Sequence, residues 1–278
     1  MSRTWFITGA SRGIGAELAK AVLASGDRVV ATGRNQAQVA QLYAAAGDRV
    51  LALPLDVAQE DQVRAAVDAA IAKFGRIDVL VNNAGYGQLG LFEEIGAEEI
   101  ARQYATNVFG LFNVTRAVLP VMRQQRSGHI FNVSSVGGLV AAAGGSVYCS
   151  TKFAVEGYSE ALAQEVAQFG IKVTLIEPGA FRTDFLNDSS VRFGGNSIAD
   201  YGAFSERTKT SFTSRANRQP GDPEKLAKAI LVLADTEHPP LRYAAGSDAL
   251  GRIETKLTQR RAEIDQWRDL TLSTDYPQ

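Results

Sequence analysis

Short apolar runs alternate with longer stretches of helical periodicity along the first two thirds of the chain. "TWFITG" precedes "IGAELAKAVLASG", and "DRVVATG" precedes "QAQVAQLYAAAG". A strand followed by a helix, repeated, is typical of parallel βα units. Four further strand patterns bring the number to six before residue 180: "RVLALPLDV", "DVLVNNAG", "GHIFNVSS" and "IKVTLIEPG". The pattern therefore predicts an α/β fold with a doubly wound parallel sheet and helices on both of its faces.

The composition changes after residue 184. Segment 185–220 is rich in Ser, Gly, Asn and Arg with scattered aromatic residues, which predicts a flap rather than a second domain. The next pattern predicts a helix with Asp222 as its cap and Pro223 at its first position. "PPLRYAAG" predicts a seventh strand, and 252–278 a final helix and tail. We expect residues 1–278 to form one domain.

Composition and charge narrow the class of partner. The net charge is −1, with 29 basic and 30 acidic side chains, which does not favour binding to nucleic acid. No run of about 18 apolar residues occurs, so the length needed for a membrane span is missing. A single cysteine excludes an internal disulfide, and two histidines do not favour a zinc site. We expect a cytoplasmic protein without a targeting segment or metal, and a small-molecule partner.

A glycine-rich turn joins the first strand to the first helix. In "ITGASRGIG", Gly9, Gly13 and Gly15 let the backbone approach a pyrophosphate, whose charge is favoured at a helix N-terminus. Glycine turns of purely structural purpose share this spacing. Its place as the first βα turn of a doubly wound, Rossmann-like sheet favours a dinucleotide site.

The end of the second strand indicates which dinucleotide is bound. A protein specific for NAD carries an acid there to hold the ribose 2′-hydroxyl, whereas this chain has Gly33 followed by Arg34. Arg12 lies within the glycine turn, so two guanidinium groups are available for a 2′-phosphate. Two solvated surface arginines are the alternative. The pattern predicts NADP(H) as the cofactor.

Candidate chemistry lies in "SVYCSTKFAVEGY". Tyr148 and Lys152 are four positions apart and share a helix face, whereas Cys149, the only cysteine, is rotated by about 100° from Tyr148. A nearby ammonium group lowers the pKa of a tyrosine and makes it a better base. A lone cysteine is usually a small buried hydrophobe. The spacing therefore favours the tyrosine and the lysine over the cysteine.

At this point the chain resembles the short-chain dehydrogenase/reductase family. Its TGxxxGxG motif is met by residues 8–15, its NNAG motif by 82–85, and its YxxxK motif by Tyr148 and Lys152. Ser135 corresponds to the family's catalytic serine, and Asn107 to the asparagine of its catalytic tetrad. Pro178 and Gly179 correspond to its PG motif, and Thr183 to the residue that contacts the carboxamide. The resemblance covers residues 8–183 in order. It implies an NADP-type oxidoreductase that interconverts a ketone or aldehyde and an alcohol.

The resemblance also implies a role for each catalytic residue. Tyr148 is the general acid/base, and Ser135 holds the substrate oxygen. Lys152 binds the ribose hydroxyls and lowers the tyrosine pKa, while Asn107 supports a water that joins the lysine to solvent. The cofactor residues implied by the glycine turn, the strand ends and the PG segment are Gly9, Ser11, Arg12, Gly13, Ile14, Gly15, Arg34, Asp56, Val57, Asn83, Gly85, Tyr148, Lys152, Phe181 and Thr183.

Structural explanations exist for several of these residues taken singly. Ser135 can simply end a strand, Asn107 can cap or kink its helix, and Asp56 can cap the next helix. A second hypothesis for the whole chain is a dinucleotide-binding redox sensor or regulatory protein without turnover, which the loss of a catalytic residue would indicate. None of the family's catalytic residues is missing.

Substrate and assembly are less constrained. The flap carries five aromatic residues, which favours an apolar substrate: Phe185, Phe193, Tyr201, Phe204 and Phe212. The same flap carries Arg207, Lys209, Arg215 and Arg218, for which a solvated basic loop and an anion contact both remain open. The ending "LRYAAGSDALGRIETKL" is more similar to the steroid and retinol dehydrogenase-like branches than to the tetrameric acyl-thioester ketoreductases. The resemblance implies a homodimer through helices around 101–125 and 148–169, with a tetramer also open.

Overall fold

A seven-stranded parallel sheet is the centre of the computed structural model, which describes residues 2–186, 190–214 and 216–276. The strands are β1 Thr4–Ile7, β2 Arg28–Gly33, β3 Val50–Pro54, β4 Val79–Asn82, β6 Gly128–Val133, β7 Ile171–Pro178 and β9 Arg242–Ala245. Their order in the sheet is β3-β2-β1-β4-β6-β7-β9, and every pair is parallel. The chain reverses its direction of winding between β1 and β4, as the doubly wound prediction requires.

Ten α-helices flank or extend the sheet in the described residues. They are α1 Gly13–Ala24, α2 Gln36–Leu42, α3 Glu60–Phe74, α4 Ala97–Tyr104, α5 Gly110–Gln125, α6 Ser146–Val166, α7 Gly202–Thr213, α8 Pro223–Asp235, α9 Ser247–Gln266 and α10 Arg268–Leu272. Short 3₁₀ turns complete the connections.

Successive side chains of a strand point to opposite faces of the sheet and pack in the two layers of the core. In β1, Trp5 and Ile7 pack in the cluster that contains α1 and α8, whereas Phe6 packs in the cluster of α3, α5 and α6. All three side chains are fully buried. A strand covered on both faces can be apolar at every position, which is why the strand patterns in the sequence are continuous rather than alternating.

The later elements agree with the sequence in part. Asp222 caps α8, accepting hydrogen bonds from the amides of Glu224 and Lys225 at 2.9 and 3.3 Å. The seventh strand is confirmed as β9. The final helix begins at Ser247, five residues before the predicted 252, and the carboxylate of Asp248 in its first turn accepts a 2.8 Å hydrogen bond from the amide of Ala180.

The flap has regular structure that the sequence did not predict. Within 185–220, strand β8 (Val191–Phe193) pairs in parallel with β5 (Gly87–Leu89) as a small second sheet, and α7 follows it. Three-residue strands carry too little periodicity to be recognised, and their pairing joins segments about 100 residues apart. Arg215 and residues 187–189 of the flap lie outside the described residues.

None of the helices in the described part of the chain has the length and apolar character of a membrane span.

Candidate active site

The glycine turn lies at the carboxyl end of β1, where the winding reverses. Gly9 and Gly13 have φ of 67° and 56°, in the left-handed region that glycine adopts without strain. The Asn83 side-chain amide donates 3.0 Å hydrogen bonds to the carbonyl oxygens of Thr8 and Gly9. A Cβ at Gly15 would collide with the same amide. Asn83 therefore holds the turn in shape.

The turn and the segment after β7 lie close together. A Cβ placed on Gly13 would lie 3.5 Å from the Cβ of Thr183, which is van der Waals contact. The side chain of Arg12, the residue before α1, does not cap the helix, whose first amides face this edge. A glycine-rich turn beside a helix N-terminus fits the pyrophosphate of a dinucleotide.

The end of β2 carries no acid, and its last residue, Gly33, is closely packed. A Cβ on Gly33 would lie 3.0 Å from a Val39 methyl group and 3.5 Å from the Cβ of Ser11, so a larger side chain is resisted there. Arg34 follows and is exposed. Arg34, which the sequence predicts to contact the 2′-phosphate, is thus an exposed residue directly after β2, and Gly33 packs beside Ser11.

The remaining predicted cofactor residues lie around the same edge. The carboxylate of Asp56 accepts a 3.0 Å hydrogen bond from the amide of Ala58, which forms a turn, while α3 begins later, after Gln59. Val57 is buried against α5, and Ile14 packs on the core beneath the turn. The other members of this set, Gly85 and Phe181, lie after β4 and after β7: Gly85 beside Asn107, and Phe181 bridged to Gly221.

Tyr148 and Ser135 come together from two different elements. Tyr148 lies in the first turn of α6, and Ser135 lies two residues after the end of β6. The two hydroxyl groups interact, which lowers the pKa of Tyr148, but burial is the larger effect and raises that pKa to about 12. The expectation that Lys152 lowers the tyrosine pKa is therefore not met in this structure. The phenol keeps its proton at neutral pH and is ready to donate it.

Lys152 is buried beneath Tyr148 on the same helix face. Its Nζ lies 5.9 Å from the centre of the tyrosine ring and donates a 2.8 Å hydrogen bond to the carbonyl oxygen of Val133. Burial lowers the pKa of Lys152 to about 8, and the negative charge of Glu156 opposes that shift. The amine is therefore held in place by the end of β6 and is still mostly charged at neutral pH.

Asn107 lies where the helix changes its winding. Residues Ala105–Phe109 form a π-helical turn between α4 and α5, and Asn107 within it is 3% exposed. Its side chain closes a pair of hydrogen bonds with Tyr86, accepting from the amide at 3.2 Å and donating to the carbonyl at 3.0 Å. It also donates to Thr151 Oγ1 at 3.3 Å. Single-turn π bulges often occur at functional sites.

Cys149 has the surroundings of a structural residue. It is 6% exposed, and burial raises the pKa of its thiol. A reactive cysteine needs a stabilised thiolate, which this environment does not provide.

A buried acid cluster that no sequence motif predicts lies beside Lys152. Glu156 and Glu177 are 4% and 2% exposed, and the Nε of Arg242 lies 3.0 Å from the first and 3.7 Å from the second. Burial is the main cause that raises the pKa of Glu177, to about 7. The available signal was the repeat of four in Tyr148, Lys152 and Glu156, which places all three on one face of α6.

The flap covers the site from one side. The ring of Phe185 lies 5.6 Å from that of Tyr148. Tyr201 donates a 2.6 Å hydrogen bond to Glu93, and Ser205 one of 2.5 Å to Glu94, so the flap is fastened to the segment after β5. Of the basic flap residues, Arg207 and Lys209 lie over the rings of Phe204 and Phe193, while Arg218 is exposed and Arg215 is not described.

No cluster of three or more metal-ligating His, Cys, Asp or Glu side chains occurs in the ranges 2–186, 190–214 and 216–276.

Comparison with known proteins agrees with this geometry. The family model described as short chain dehydrogenase matches residues 3–192. The oxidoreductase BOA17 of Botryotinia fuckeliana is 43% identical over 99% of this chain and all of that protein. A short-chain dehydrogenase from Streptomyces avermitilis has a crystal structure that superposes with a TM-score of 0.92 at 42% identity, covering 99% of this chain and 100% of that one.

Further structural relatives have been solved with NADH or with NADP bound. One of them, ElxO with NADP, is 31% identical with a TM-score of 0.71, over 86% of this chain and 93% of its own. The chain belongs to the short-chain dehydrogenase/reductase family and is an oxidoreductase that depends on a nicotinamide dinucleotide.

Proposed function

We propose that the chain is an NADP(H)-dependent oxidoreductase that interconverts a mainly apolar ketone or aldehyde and the corresponding alcohol, with Tyr148 as the general acid/base. The observation that carries this proposal is the meeting of Tyr148, Ser135 and Lys152 at the carboxyl edge of the sheet, beside the glycine turn. A bound nicotinamide supplies or accepts the hydride.

The proton is handled by residues of this chain. The Tyr148 phenol, neutral because burial raises its pKa, donates to the substrate oxygen in reduction and recovers the proton in oxidation. Ser135 holds that oxygen by a hydrogen bond, which limits its motion during the transfer. Lys152 holds the ribose hydroxyls, and Asn107 supports a water between the lysine and solvent.

The choice of NADP(H) rests on the end of β2. Gly33 leaves no carboxylate to repel a phosphate, and the exposed Arg34 offers a planar set of donors for its oxygens. Gly9, Gly13 and Gly15 hold the pyrophosphate, while Asp56 and Gly85 line the adenosine and Thr183 the carboxamide. The remaining assigned cofactor residues, Ser11, Arg12, Ile14, Val57, Asn83 and Phe181, hold or flank these segments.

An apolar substrate is supported by the flap, 185–220. Phe185 lies against Tyr148, and the described cations Arg207 and Lys209 lie over aromatic rings of the flap itself. A closed flap excludes water from the reacting atoms.

We also propose that two copies associate through the helices of 101–125 and 148–169. Phe109 and Phe153 belong to these segments and are 56% and 46% exposed, so an interface there would bury two large apolar side chains.

The experiment is a panel of apolar ketones, aldehydes and secondary alcohols, tested against the purified protein with NADPH or NADP⁺ and, in parallel, NADH or NAD⁺. We expect turnover of an apolar carbonyl compound with NADPH, and loss of that turnover in Tyr148→Phe. Tight NADPH binding without oxidation by any carbonyl compound would instead support a regulatory, non-catalytic protein.

A further inference from the structure

Helix α9 leaves the domain after its first turns and exposes an apolar stripe. Ala249 near its start is fully buried, and Arg252 donates a 3.1 Å hydrogen bond to the carbonyl oxygen of Val140. Further along, Leu257 and Ile264 are 64% and 52% exposed. Large apolar side chains exposed in a row on one helix indicate a contact with another surface.

The stripe has the period of a coiled coil. Leu250, Leu257 and Ile264 recur every seven residues as a positions of a heptad, and the half-buried Ile253 takes a d position. Trp267, the residue that directly follows the end of α9, takes the last d position. Arg260 takes the middle d position, where its aliphatic stem can cover apolar surface while its charge reaches water. The repeat spans 18 residues, or roughly 27 Å of helix.

The charges beside the stripe select one arrangement. In an antiparallel pair of these helices, the layers join Leu250 to Trp267, Ile253 to Ile264 and Leu257 to Arg260 of the partner subunit. Glu254 then faces Arg261 of the partner subunit, and Lys256 faces Glu263 of the partner subunit, so every flanking contact joins opposite charges.

Other arrangements are less favourable. A parallel pair places Lys256 beside Arg261 of the partner subunit, and an antiparallel pair shifted by one heptad places Arg261 beside its own copy. An anionic membrane surface is disfavoured because 247–272 carries five basic and five acidic side chains, which leaves no net positive charge.

We propose that α9 pairs antiparallel with α9 of a second copy of this chain, as an interface separate from the one formed by 101–125 and 148–169. The pair buries the exposed stripe and lies beside Val140, which follows Ser135 by five residues.

A charge exchange tests the register. We compare the wild type, Lys256→Glu, Glu263→Lys and the double variant by sedimentation equilibrium across protein concentration. In a symmetric pair of helices, each single variant creates two contacts between like charges. We therefore expect the dissociation constant of the pair to rise at least tenfold, and the average mass to halve at micromolar protein concentration. Lys256 and Glu263 lie about 10 Å apart along one helix, which is too far for them to pair within one copy. Exchanging their charges can therefore restore contacts only between two copies.

The double variant is expected to recover the wild-type mass, and Leu257→Asp is expected to behave as the single variants do. Val232→Asp is the matched control, because Val232 is 66% exposed on α8, and no change is expected there. Unchanged mass in the single variants, lack of recovery in the double variant, or a wild type that is monomeric throughout would overturn the proposal. So would association of α9 with anionic vesicles by a monomeric wild type.

Discussion

The amine of Lys152 lies 5.9 Å from the ring centre of Tyr148, one helical turn away, and both are held at the end of β6. Glu156 follows after one more turn on the same face. The three residues form a buried column in which the negative charge of Glu156 raises the pKa of Lys152. The pH dependence of the enzyme is therefore expected to depend on Glu156, which touches neither substrate nor cofactor in the proposed mechanism.

Replacing Glu156 with Gln removes a negative charge that raises the pKa of Lys152. The lysine then loses its proton at lower pH, so the alkaline limb of the kcat/KM profile is expected to move down by about one pH unit from its position near 8. Glu160→Gln is the control, since Glu160 also pairs with Arg242 but is 54% exposed. Identical profiles in both variants would show that Glu156 does not act on Lys152.

The choice of dinucleotide is tested at Arg34. Because a charge-assisted hydrogen bond contributes on the order of 1.5–3 kcal/mol, Arg34→Ala is expected to lower the ratio of kcat/KM for NADPH to that for NADH by about tenfold or more. Arg12→Ala is expected to cost less, and Arg123→Ala, an exposed arginine on α5, nothing. A wild type that prefers NADH contradicts the cofactor proposal, whereas a larger loss at Arg12 contradicts only the ranking.

The sheet and the order of the motifs could be predicted because both are local. Each βα unit shows its own apolar run and helical period, and Gly9, Tyr148 and Lys152 lie within recognisable short motifs. The capping of α8 by Asp222 was likewise readable from neighbouring residues.

What the sequence did not reveal depends on contacts between distant segments. Arg242 meets Glu156 across 86 positions, and β5 meets β8 across about 100. The raised pKa of Tyr148 depends on how deeply the ring is buried, which helix periodicity does not report. The role of Asn83 in holding the glycine turn also appears only once β4 is placed beside β1.

The flap predicts a difference between two aromatic residues. Phe185 lies 5.6 Å from the Tyr148 ring, whereas Phe204 is 42% exposed beneath Arg207. Phe185→Ala is expected to lower kcat/KM for an apolar substrate by roughly tenfold or more, since burying an aromatic side chain is worth about 1.5–3 kcal/mol. Phe204→Ala is expected to change it little, and steady-state kinetics at saturating NADPH measures both. Equal losses would place the substrate elsewhere under the flap.

Glu177 makes stability depend on pH with a defined sign. Its pKa is raised from 4.5 to about 7, so the folded state binds more protons than the unfolded state between these values. The contribution of Glu177 to the free energy of unfolding is therefore fully present below pH 4.5 and falls as pH rises to 7, by on the order of 1–3 kcal/mol.

Urea unfolding of the wild type and Glu177→Gln, each at pH 5 and pH 7.5, measures this effect. The stability of the variant relative to the wild type is expected to be greater at pH 7.5 than at pH 5. A difference between the two proteins that does not change with pH would mean that Glu177 is ionised at pH 5 in the folded state.

The most direct test of the proposed mechanism compares two neighbouring residues of α6, with kcat/KM and NADPH affinity measured for Tyr148→Phe and Cys149→Ala. The account predicts that Tyr148→Phe lowers kcat/KM by about 10²–10⁴-fold, the usual contribution of a general acid/base, while NADPH still binds. Cys149→Ala is expected to keep turnover close to that of the wild type, because its buried thiol takes no part in the proton transfer. Equal loss of turnover in two folded variants would contradict the assignment of Tyr148 as the acid/base.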